Sequence, residues 1–469
     1  MHHLILTYKN LILQSALTIS LTLILRFLPL PSLFLQGLNT YIHPDDVNPT
    51  KSTTSSSSSG ARFAIRRPDN DENKGGSELR NRKKSGKAKS VGFDESKAQI
   101  FRLRLGDAQL VSRIHFDIYR SCFNWVVVGC SCFLLQLWLN VEDGDGTVVL
   151  RNGTVVPVLV GVSGVARVYV SLVRVSLEGS AFKRSEKQLG VIVGMLGFVV
   201  GIVIALGVFP SILDFRFDGV DAYASFVIAL LCGSLAGFLF LGTGKNAKAF
   251  WLGTDQIRCN LSTVSCQWFY RMLLYASCLV VLFSWLLWIN PFAALLVNKN
   301  IGGDRNTRMN RGVKKSEKLV GNVGIAPDDF VKFRIWCLLA CGVLQALAVR
   351  PKVQMYLNEA MLAWYQRLHA SQIPELEYSR AKVFLHNHYL CLTVQQFFAP
   401  AALLLLFLGL SQLGDGSVSE NFHVVCGILP CTAFVREVGL FMAWWVAFVW
   451  SICTLVYLGL YRRGFLYVS

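Results

Sequence analysis

The chain has 469 residues, of which 53 % are hydrophobic and 16 % charged, and its mean hydropathy is +0.44. A soluble domain covers its surface with about 25 % charged residues, so this composition excludes an ordinary water-soluble globule. The net charge of +17 does not point to nucleic acid, because the Lys and Arg flank apolar stretches, where they anchor helices and meet anionic lipid head groups.

Residues 11–25 are apolar, with Lys9 before them and Arg26 after them, the pattern of a signal peptide or of a first membrane helix. Phe27, Leu28 and Pro29 are too bulky for a cleavage site, which favours an uncleaved anchor within residues 1–39. Residues 40–118 change character. Ser and Thr fill 52–59, and a basic run from Arg80 to Lys89 follows with hardly an aromatic side chain. Such a stretch buries too little apolar area to offset its ordering entropy, so a disordered linker is expected. Its basic run reads as a lipid-surface or solvated patch rather than as a nucleic-acid signal.

Apolar segments then follow at 121–141, 155–173, 189–209, 222–241, 272–289, 333–349 and 440–461, with a longer one at 383–413 that contains Pro400. A helix of about 20 residues spans the ~30 Å hydrocarbon layer. With the N-terminal segment there are nine candidates, which predicts an all-α polytopic transmembrane helical bundle of eight or nine spans. Its first half occupies 119–297, a basic loop 298–330, and its second half 331–469. Gly190/Gly194, Gly197/Gly201 and Gly233/Gly237 are small-xxx-small pairs that let helices approach closely. Two stripes suggest amphipathic interfacial helices: Val353, Leu357, Ala360, Met361, Trp364 and Leu368, and then Phe250, Thr254, Ile257, Leu261, Val264 and Trp268. Each can also extend a span into solvent.

Lys/Arg bias sets orientation. The linker and residues 174–187, 245–271, 350–382 and 462–463 are basic and read as cytoplasmic. The opposite segments carry Glu142, Asp143, Asp145, Asp214, Asp218, Asp221, Asp415 and Glu420. Asn152, in an Asn-Gly-Thr sequon, is a candidate glycosylation site on that lumenal side. The basic loop 299–318 dissents, since alternation puts it in the lumen. Most of the 13 cysteines lie in apolar segments and act as small hydrophobes. Cys426 and Cys431 fall in a short lumenal loop, where either a disulfide or two free thiols is compatible with the spacing.

Polar groups inside spans are few. Arg167 costs at least ~2.5–3.5 kcal/mol near a bilayer centre unless it meets water or a counter-charge, so it either lines an ion pathway or snorkels. Gln395 and Gln396 precede Pro400, whose missing N–H frees a carbonyl, the kind of break found at transporter sites and also at plain helix kinks. His386 and His388 point to different helix faces and make a poor metal pair. No Walker loop, HExxH or GxSxG motif occurs, and the spans carry almost no Asp or Glu. An enzyme or pump is therefore disfavoured and no cofactor is implied.

The second half resembles the transmembrane protein 161 family. The resemblance is carried by 287–291 (LWINP), 333–336 (FRIW), 356–360 (YLNEA), 381–384 (AKVF), 396–400 (QFFAP) and 443–445 (AWW), in the family's order and spacing. His43-Pro44 and the cation of 165–168 (VARV) also find counterparts. Two insertions depart from the pattern, the Ser/Arg-rich linker and the basic loop. The resemblance implies a membrane regulatory role tied to ion currents, rhythmic excitability and stress responses, with no catalytic residues. The expected protein is thus a non-enzymatic, multi-pass membrane component, in the endomembrane or plasma membrane, that regulates ion handling, excitability or stress signalling. Its partners would be the lipid bilayer and an ion channel or other membrane protein. The competing expectation is a transporter or channel with a pathway near Arg167, Gln395 and Gln396.

Overall fold

A computed structural model describes residues 9–42, 100–142, 155–178, 182–208, 212–215, 222–255, 266–297, 325–369, 376–413 and 432–466. In chain order the elements are α1 (Lys9–Phe27), α2 (Leu30–Leu35), β1 (Asn39–Ile42), β2 (Phe101–Arg104), α3 (Asp107–Val111), α4 (Phe116–Glu142), α5 (Val155–Leu177), α6 (Arg184–Ala205), α7 (Ala222–Thr254), α8 (Trp268–Leu286), α9 (Asn290–Leu296), α10 (Pro327–His369), α11 (Leu376–His388), α12 (Leu390–Ser411) and α13 (Thr432–Arg462). Among the described residues nine helices, α1, α4 to α8, α10, α12 and α13, are long and apolar enough to cross a membrane. The fold is the expected all-α polytopic bundle.

Hydrocarbon offers backbone N–H and C=O groups no partner, so each crossing must be a helix that closes its own hydrogen bonds. The nine helices run alternately up and down. One end of the bundle gathers the starts of α4, α6, α8 and α12 with the ends of α5, α7, α10 and α13. These are the ends that carry the basic segments, and this end is called the basic end below.

Helix α12 is the axis. It packs against α13, α10, α5 and α4, and 19 of its 22 residues are buried. Bulky side chains fill the space around it: Phe397 and Phe398 on α12, and Phe441, Trp444 and Trp445 on α13. The indole N–H of Trp445 donates to the Cys232 carbonyl at 3.0 Å, and that of Trp444 to the Trp285 carbonyl at 3.1 Å. These bonds tie α13 to α7 and α8 without leaving a polar group in lipid.

The closest helix pair is α6 with α7, and its cause is glycine. A methyl group built on Gly233 would lie 2.8 Å from the Gly194 carbonyl, and one on Gly237 2.9 Å from that of Gly190. No side chain fits where two backbones approach this closely.

Two expectations are corrected, and most of a third lies outside the described residues. The stripe over 353–368 does not lie in the interface but continues α10, and it is buried on nearly every side. Its polar face meets protein instead of water: Gln354 bonds both the N–H and the C=O of Asn39 (2.9 and 3.2 Å), and the Tyr41 hydroxyl donates to Asn358 at 3.1 Å. The second stripe begins as the last turns of α7, Phe250 and Thr254 included, while residues 256–265 lie outside the described residues. The linker's margins are ordered as well, since β1 and β2 form an antiparallel ribbon from Asn39↔Arg104 to Ile42↔Phe101.

The long segment 383–413 breaks at Tyr389 and not at Pro400. Arg113 donates to the Asn387 backbone carbonyl at 3.3 Å, taking an acceptor of the helical ladder, while the Asn387 side-chain amide donates to the Tyr41 carbonyl at 2.6 Å and anchors the break to β1. Pro400 stays inside α12, because neighbouring helices cover the turn it weakens.

Replacing Gly233 by Val should therefore separate α6 from α7 and cost about 1–3 kcal/mol. Gly459→Ala, where an added methyl meets nothing within 4 Å, should be silent. Thermal unfolding of the two variants in detergent checks the contrast.

Candidate functional site

The two longest helices among the described residues are α7 and α10. α7 has 33 residues and α10 has 43. At 1.5 Å per residue they are about 50 and 64 Å long, while ~30 Å of hydrocarbon needs only about 20 residues. The surplus turns stand at the basic end. With the start of α6, the whole of α11 and the last turns of α13, they wall a cavity of about 590 Å³.

At its base lies Glu359 on α10, with its side chain 6 % exposed. Its Oε1 is 3.4 Å from Lys248 Nζ on α7 and 3.4 Å from Lys382 Nζ on α11. Its Oε2 is 4.0 Å from His386 Nε2, one helical turn further along α11. One carboxylate thus joins three helices. His386 is held by its Nδ1 contact with the Lys382 carbonyl at 2.8 Å, and its ring stacks on Tyr356 at 4.4 Å. Burial pushes the Lys382 ammonium below its ordinary value, and the Glu359 charge pulls the other way.

Lys245, one turn before Lys248 and about 35 Å along α7, is held differently. Its Nζ donates to Gln396 Oε1 at 3.1 Å and lies 4.8 Å from the centre of the Phe182 ring. Among the described residues no carboxylate comes within ion-pair distance of it. Lys183 and Glu186 at the start of α6 form the rim on one side, and Tyr457 and Tyr461 on α13 the other.

The residues singled out from the sequence are dispersed. Gln396 reaches the cavity through Lys245. Its neighbour Gln395 turns away and donates to Ser171 Oγ on α5 at 2.7 Å. Arg167 is exposed on the outer face of α5, and its backbone carbonyl accepts from Cys122 Sγ at 3.8 Å. Pro400 is buried in α12 between the two ends. Asn152, Cys426 and Cys431 lie outside the described residues. Of the two histidines His386 joins the cluster, whereas His388 stacks on Phe384. Among the described residues no group of three or more His, Cys, Asp or Glu is placed to hold a metal ion.

Sequence reasoning did not single out Glu359, Lys245, Lys248 or Lys382. The available signal was a carboxylate and lysines inside helical stripes otherwise fit for burial. Charges at such positions need partners from other helices.

Lys352, near the middle of α10, is a second buried cation. Its Nζ donates to Gln345 Oε1 at 2.6 Å, and Gln345 in turn donates to the Ser277 carbonyl at 3.1 Å. Among the described residues it has no carboxylate partner. At the far end of the bundle Arg334 pairs with Asp214 at 2.7 Å and lies over the Trp288 ring at 4.3 Å.

With this geometry in hand, comparison with known proteins places the chain. Residues 220–426 match the family described as "Predicted transmembrane protein 161AB". The resemblance read from the sequence motifs is to this same family. The match runs from the start of α7 past the end of α12. It therefore contains Lys245, Lys248, Tyr356, Glu359, Lys382 and His386, while α4 to α6 and α13 lie outside it. No curated protein and no solved structure matches the chain. The protein is a multi-pass membrane protein.

Glu359→Gln leaves two ammonium groups without their counter-charge. The expected cost is about 2–3 kcal/mol, less than the ~3–5 of a fully enclosed pair because Lys248 stays 34 % exposed. Lys352→Met should act in reverse and raise the unfolding midpoint, since it removes a desolvated charge that no carboxylate compensates. Thermal unfolding in detergent reads both signs.

Proposed function

We propose that this membrane protein is non-enzymatic and regulates ion handling, excitability or stress signalling in its membrane through contact with an ion channel or another membrane protein. The observation that carries the reading is the filled axis of the bundle. A conducting protein keeps a polar path between its helices, whereas here α12 occupies the centre with 19 of 22 residues buried. The largest cluster of charges described above stands at the basic end instead, in a cavity whose carboxylate ties helices together. An assembly of this kind presents surfaces to lipid and to neighbours.

A pathway near Arg167, Gln395 and Gln396 is the competing reading, and it draws on the Gln395–Ser171 contact inside the bundle. The position of Arg167 on the outer face of α5 speaks for snorkelling to the basic end.

Purified full-length protein in liposomes, tested against a panel of cations and anions, should show no flux above empty vesicles. Proximity labelling in cells should recover an ion-transport protein. Flux that disappears in a folded Arg167→Leu variant would establish the pathway and sink the regulatory reading.

A further inference from the structure

We propose that the cavity at the basic end binds a phosphate group, carried either by a membrane lipid head group or by a small soluble phosphate. The inference goes beyond the regulatory reading and stands or falls without it.

Charge is the first support. Four lysines of the lining (183, 245, 248 and 382) face two glutamates (186 and 359). Glu359 is already shared by Lys248 and Lys382, which leaves Lys183 and Lys245 with the single exposed carboxylate of Glu186 between them. Lys245 is the sharper case. Its ammonium lies against one neutral amide and the Phe182 and Tyr356 rings, while among the described residues Glu186 and Glu359 act on it only from beyond ion-pair distance. A desolvated ammonium in that situation gains most from an anion. An anion entering the cavity supplies the missing charge.

The backbone adds to this. Lys183 is the N-cap of α6, a 22-residue helix, and no side chain caps it. Free N–H groups and the positive end of the helix dipole therefore stand at the rim of a cavity that already favours negative charge. The Tyr457 and Tyr461 hydroxyls, on the opposite wall, are further donors.

Size and depth agree. A volume of about 590 Å³ falls within the ~300–1,000 Å³ of small-ligand sites. Lys245 lies past the ~30 Å hydrocarbon span counted along α7, at the level where head groups sit.

The test uses detergent-purified full-length protein and three probes: dioctanoyl-phosphatidylinositol 4-phosphate, inositol trisphosphate and inorganic phosphate. Dioctanoyl-phosphatidylcholine serves as the zwitterionic control. Saturable binding, read by tryptophan fluorescence and by a raised unfolding midpoint, is expected for at least one phosphate probe and not for the control. Saturation by the lipid alone assigns the phosphate to a head group; saturation by a soluble probe assigns it to a free ligand. Lys245→Gln should weaken binding about tenfold or more, as loss of a charge-assisted bond does, and Lys245→Arg should retain most of it. Should Lys245→Gln not fold, the exposed rim carries the test with opposite signs: Lys183→Gln weakens binding several-fold and Glu186→Gln tightens it. Absence of saturable binding to all three probes overturns the proposal. So does an unchanged affinity in folded Lys245→Gln, or weaker binding in Glu186→Gln.

Discussion

Backbone carried into a bilayer finds no partner in hydrocarbon, so the chain has to supply its own, and the arrangement of the helices follows from that constraint. α12 is possible as a sequence only because it is surrounded. Gln395, Gln396 and Pro400 would each be costly on a helix facing lipid. On the axis, Gln395 meets Ser171 and Gln396 meets Lys245, while helices on all sides support the turn that Pro400 weakens. The outer helices show the converse. α6 exposes Val191, Ile192, Met195, Leu196 and Val199 to the surroundings and buries glycines.

The same constraint explains how much was legible in the sequence. Hydrophobic length marks a span without any knowledge of neighbours, so all nine crossings were visible, and so were the glycine pairs that join α6 to α7. The ends of helices were not. α10 runs on for some twenty residues beyond its apolar segment because Gln354, Asn358 and Glu359 find partners on β1, α7 and α11. Those partners stand on other elements, those on β1 more than 300 residues away, and a periodic pattern read locally assigns such a stripe to the nearest interface. The break at Tyr389 escaped detection for a related reason. Pro400 is the local signal, whereas at the actual interruption Arg113 takes the Asn387 carbonyl and Tyr41 holds the Asn387 side chain.

Sites obey this logic more strictly than folds. Arg167 drew notice because an isolated cation in an apolar run looks expensive, yet an arginine at the surface can reach the head groups with its own side chain. Glu359 and Lys245 drew none, since each sits where loops and interfaces were expected. Their significance is relational: a carboxylate shared by two ammonium groups, and one turn away an ammonium that shares none. The family match covers both residues, so the helices that hold them belong to the part of the chain with recognisable kin.

The small ribbon has a consequence for how this polypeptide tolerates change. Ile42 and Phe101 are paired across two strands, so the two ends of the stretch between them are held at a doorway about 5 Å wide. Gln354 bolts one side of that doorway to α10. Closing a longer or shorter excursion through fixed posts alters free energy only logarithmically with its length. With its ends fixed by the ribbon, doubling the number of residues joined at this point costs only about 0.6 kcal/mol in closure entropy, which suits the position to a tag or a reporter.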